Sequence, residues 1–184
     1  MSSPSTNPLV QQLQTLLAGG GYNFYDTRNR ARADDLLVRQ RASGFLTDGA
    51  QALSALEIAY RRQFIPPATR DIPYPPAETL ERLRGIGRLR AQLGDLEARI
   101  RGMAVPTQDK VWWRFREEQG LLNALLGFDY ALISQAEIIA IQARAVTPDD
   151  WQARDVPSEF APPLAQLETI VRDRQQFLQM PTPF

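Results

Sequence analysis

The feature that most constrains this chain is an apolar row at spacings of three and four: Leu80, Leu83, Ile86, Leu89, Leu93, Leu96, Ile100 and Met103. Only a helix gathers such residues on one face, so the run predicts an amphipathic helix over 76–103 with a seam that must be covered. Acids stand four residues ahead of arginines in Glu78/Arg82, Asp95/Arg99 and Glu97/Arg101, the order that supports a solvated helix face. Arg84 and Arg88 have no such acid four residues upstream.

The rest of the chain reads the same way. Asn7-Pro8 starts a short helix over 8–18 that stops at Gly19-Gly20-Gly21. A helix over 27–64 follows, with Gly44 and Thr47-Asp48-Gly49 marking a possible kink near 44–49. The proline-dense segment 65–75 predicts an extended connector. Thr107 can cap a helix over 108–146, joined to its predecessor by a break short enough for an antiparallel hairpin. A second proline-rich connector is expected over 147–161, and a last helix over 162–179. The predicted fold is therefore all-α: a single domain over 1–184, built as an elongated antiparallel four- or five-helix bundle with proline-rich connectors.

Composition narrows the chemistry. The chain has no cysteine and no histidine, which excludes a disulfide, a thiolate nucleophile, a Cys/His metal site and a histidine general base. Without the Glu-x-x-His motif a carboxylate-bridged di-iron bundle is excluded too. No metal or other cofactor is expected, and a carboxylate-only enzyme ranks last among the readings. The 21 basic and 21 acidic residues cancel, so no global field draws the chain to nucleic acid or an acidic membrane, and tight nucleic-acid binding is not expected. The N-terminus carries no basic stretch ahead of an apolar one, so a cytoplasmic location is expected.

Within 108–146, Arg116, Asn123, Tyr130, Glu137 and Arg144 recur every seven residues and predict the solvent seam of a central helix. Polar residues interrupt its apolar stretch, so no transmembrane segment is expected. Gly120, Ala124, Gly127, Ala131 and Ser134 form a stripe of small residues, matched by Gly49, Ala52, Ala55 and Ala59. Such stripes predict close packing of the two helices on each other, or self-association through either one. Gly127→Leu is then expected to overpack that contact.

Asp129 does not lie on the polar seam but among Leu122, Leu125, Leu132 and Ala136, with Glu118 three turns earlier on the helix. It is either half of an ion pair with an arginine of the 27–64 or 76–103 helix, or a carboxylate lining a ligand cavity. The aromatic loop Tyr22, Phe24, Tyr25 with Arg28, Arg30 and Arg32 mixes stacking rings with guanidinium groups, as single-stranded nucleic-acid sites do, and Arg84 and Arg88 would add to such a surface. Trp112 and Trp113 read as bundle-end packing or an exposed contact. Together these features predict a non-enzymatic interaction protein, a scaffold, adaptor or assembly factor that binds a protein partner and forms a homodimer. The alternatives are a bundle with a small-ligand cavity near Asp129 and a weak nucleic-acid binder.

Overall fold

The computed structural model describes residue 8 and residues 11–13, 31–65, 67, 70, 74–104 and 118–179. Every element among them is a helix: α1 (Ala31–Phe64), α2 (Ala77–Arg101), α3 (Gln119–Ala145), α4 (Pro148–Ala153) and α5 (Val156–Leu178). Pro8 and Gln11–Leu13 are also helical, and Leu13 is fully buried in the core. The all-α expectation thus holds for the described residues.

α1 runs as one helix through 44–49, so no break interrupts it there. Gly44 faces open space, whereas Gly49 is a close crossing. A Cβ at Gly49 would stand 3.2 Å from Leu93 Cδ1, 3.5 Å from Ala140 Cα and 3.7 Å from Ala143 Cβ. α1 therefore touches α2 and α3 at one point, and the two helices pack chiefly on α1 rather than on each other. α1 is the central helix, a place the sequence had suggested for α3. Arg39 lies against the end of α2 and Glu57 against Arg90, so α1 and α2 run antiparallel. Asp48 meets Arg144, and Asp35 lies near Asp129 through Arg174, so α1 and α3 run in the same direction.

The predicted connector 147–161 is instead helical. Thr147 accepts from the Asp150 backbone N–H at 3.1 Å while Asp150 accepts from the Thr147 N–H at 3.0 Å, a reciprocal capping box that nucleates α4. Pro157 sits in the first turn of α5, where a missing N–H costs nothing. Pro162 and Pro163 lie deeper and each removes a helical bond, a cost of up to about 3 kcal/mol apiece in a helix interior. Burial of Val156 and Phe160 offsets it, because that turn can reach the core only as a helix. Gln135 Nε2 also donates to the Pro163 carbonyl at 3.1 Å and ties the turn to α3.

The capping box carries a pH dependence. Hydrogen bonds from the Thr147 side chain and backbone, aided by Arg154, hold the Asp150 carboxyl below its ordinary value of 3.8. A depressed folded pKa contributes stability that is present above 3.8 and lost as pH falls through the lowered value. Asp150→Asn is therefore expected to be less stable than the parent in urea melts at neutral pH, with the difference vanishing in strong acid.

Candidate functional site

Asp129 is fully buried, as its position off the polar seam suggests, and among the described residues it is paired with Arg174 of α5, where the sequence had looked to the 27–64 or 76–103 helix. Arg174 Nε donates to Asp129 Oδ1 at 2.7 Å, and its terminal nitrogen donates to Asp35 Oδ1 of α1 at 2.8 Å. One planar guanidinium thus bridges carboxylates from two other helices, a geometry that arginine's fixed fork suits and lysine's single ammonium does not. Arg39 completes the chain with a 2.9 Å bond from Nε to Asp35 Oδ2. Its terminal nitrogen also donates to the carbonyls of Arg101 and Met103, at 2.9 and 3.3 Å, and so satisfies the C-terminal end of α2. Among the described residues two carboxylates face two guanidiniums, and charges balanced in this way are what make burial tolerable.

Asp35, Arg39 and Arg174 were missed in the sequence. Arg174 left a readable sign: it falls between Val171 and Leu178 in the apolar row Leu167, Val171, Leu178, a charge at a core position like Asp129 itself.

Arg84 and Arg88 are not unpaired. They share Glu81, at 3.3 and 2.7 Å, and hydrogen bonds from Arg88 and Arg84 hold its carboxyl below the usual range. Glu118 is the exposed N-cap residue of α3. Arg32 lies in the first turn of α1, and its side chain lies outside the described residues. Tyr22, Phe24, Tyr25, Arg28, Arg30, Trp112 and Trp113 lie outside them as well. One groove of about 490 Å³ opens between the end of α2 and α5, with Met103 and Val171 in its floor and Arg99 and Arg172 on its rim. Asp129 does not line it. Arg99 is paired with Glu168 of α5 at 3.3 Å.

The small-residue stripe of α3 faces outward. Gly120 and Ala124 are exposed, Gly127, Ala131 and Ser134 are half-buried, and a Cβ at Gly120 or Gly127 would meet nothing within 4 Å. α1 and α3 do pack together, but at Ala140 and Ala143, which lie against Gly49 and are both buried. The close backbone crossing on which the overpacking of Gly127→Leu was expected to act is thus not found at Gly127 among the described residues. Gly127→Ala is instead expected to stabilise the protein by about 0.5–1 kcal/mol, because a helical glycine costs that much against alanine, as a urea melt in dilute solution would measure.

Ile138 and Ile141 extend the outward stripe and are 46% and 54% exposed. At 100° per residue they share the side of α3 that carries Gly120 and Gly127, away from Asp129. Between Gly120 and Ala145 the outer arc holds no charge, although Glu137 lies at its edge. The helix is long and apolar enough to cross a membrane by length and composition, with half of that window buried against the rest of the protein.

No protein family matches this chain, and none of the curated proteins or solved structures matches it.

Proposed function

We propose that this chain is a non-enzymatic interaction protein of the cytoplasm, a scaffold, adaptor or assembly factor, whose elongated antiparallel bundle of four or five helices presents the outer face of α3 to another protein. The observation that carries the reading is the pair Ile138 and Ile141, half exposed on an arc without charge in a helix whose other side builds the core. Large apolar side chains one turn apart on a face without charge form a small apolar patch, the kind of surface that contacts use. The proline-rich segment 65–75 offers a second contact at Tyr74, 82% exposed beside Pro75 and Pro76. Pro76 is extended at φ −55°, ψ 137°, close to the polyproline geometry that partner grooves bind.

Crosslinked affinity capture from the native cell, comparing the parent with Ile138→Asp, tests the reading. Proteins held by the parent and lost from the variant are the expected result. Capture of nucleic acid with a steep salt dependence, or a small molecule retained in native mass spectrometry, would replace it with one of the two alternatives.

A further inference from the structure

We infer that the outer face of α3 pairs with the same face of a second copy of this chain, antiparallel, about a two-fold axis near Ala131. The inference rests on the helix-face reading above and names its occupant.

An isologous interface must be complementary to itself, so bulk on one side of the axis must meet space on the other. The face has that asymmetry. Its N-terminal half is small, with Gly120 and Ala124 exposed, while its C-terminal half carries Ile138 and Ile141. Antiparallel pairing about Ala131 sets Ile138 of each copy over Ala124 of the other and the exposed Gln142 over Gly120, with Ile141 next to it. Parallel pairing would stack isoleucine on isoleucine and leave glycine facing glycine across a gap. The antiparallel arrangement also opposes the two helix dipoles.

Area sets the strength. The 27 residues of α3 span roughly 40 Å, and a face about 10 Å wide offers on the order of 400 Å² per copy. The pair then buries about 800 Å², below the range of stable interfaces, so the dimer is weak and forms reversibly with concentration. A lipid surface fits less well, because Leu125, Leu132 and Ile139 on the opposite side are committed to the core.

The absence of cysteine gives a clean test. Under oxidation Ala131→Cys alone is expected to form a disulfide-linked dimer, since it faces its own copy across the axis. Ala124→Cys and Ile138→Cys are each expected to stay monomeric alone and to crosslink when mixed. Sedimentation equilibrium over a concentration series should show a monomer–dimer transition in the parent. Ile138→Asp should move its midpoint up at least about tenfold, with an unchanged circular dichroism spectrum. Crosslinking of Ile138→Cys with itself overturns the antiparallel assignment, and a parent that stays monomeric at every concentration overturns the dimer. A monomeric parent that binds phosphatidylcholine vesicles through Ile138 overturns it in favour of a membrane. A monomeric parent that loses a different protein on Ile138→Asp overturns only the second copy as occupant. A dimer indifferent to Ile138→Asp overturns the helix-face reading as well.

Discussion

Arg174→Leu is expected to lower the unfolding free energy by about 3–5 kcal/mol, the cost of removing one partner from a buried ion pair. The substitution leaves Asp129 without its Nε donor and Asp35 without one of its two guanidiniums, both in a site closed to water. Asp129→Leu should cost less, since Arg174 then keeps Asp35 and Asp35 keeps Arg39. Arg174→Lys should recover only part of the loss, because a point charge cannot hold both carboxylates in one plane. Combining Arg174→Leu with Asp129→Leu should cost less than the sum of the two single changes, as coupled neighbours do. Urea unfolding of the four variants measures all of this. A loss of less than about 1 kcal/mol for Arg174→Leu, the value of a surface ion pair, would mean that water reaches the network.

The network shows what the sequence could and could not reveal. The burial of Asp129 was legible because helix periodicity fixes direction from spacing alone, and a carboxylate well off a polar seam, among apolar neighbours, has few places to point. The partner was not legible, since periodicity says which way a side chain faces and nothing about which helix lies there. The small-residue stripe failed for the same reason. Gly120 to Ser134 and Ala136 to Ala143 are both runs of small residues on α3, and it is Ala140 and Ala143 of the second that lie against Gly49 of α1. The prolines misled differently. Pro157, Pro162 and Pro163 oppose a helix locally, and the apolar pair Val156 and Phe160, four apart, overrides them through tertiary burial. Placing α3 at the centre followed from its apolar composition. The structure puts α1 there and leaves the surplus apolar surface of α3 facing outward, at the site proposed for the second copy.

Trp151→Ala is expected to cost about 3–5 kcal/mol, the range for truncating a buried aromatic. The sequence had placed this residue in a connector, yet it is 2% exposed. Its ring packs over Gly85 of α2, its Nε1–H donates to the Arg82 carbonyl at 2.9 Å, and Arg82 donates back to the Trp151 carbonyl at 3.1 Å. A helix of six residues does not hold itself together in water, so α4 depends on this clasp, with help from Tyr60 to Gln152 at 2.5 Å and Gln63 to Asp149 at 2.6 Å. Loss of the ring should therefore loosen α4 and the entry to α5 with it. A companion change separates packing from hydrogen bonding. A Cβ at Gly85 would stand 3.3 Å from the ring, so Gly85→Ala in the parent pits its gain in helix propensity against a crowded contact. With the ring gone the crowding disappears, and Gly85→Ala in the Trp151→Ala background should stabilise by the full 0.5–1 kcal/mol, or about that, of a helical glycine-to-alanine change. Urea unfolding of the four proteins gives the coupling. If Gly85→Ala has the same effect in both backgrounds, the ring does not rest on Gly85, and the cost of losing Trp151 belongs to its hydrogen bonds alone.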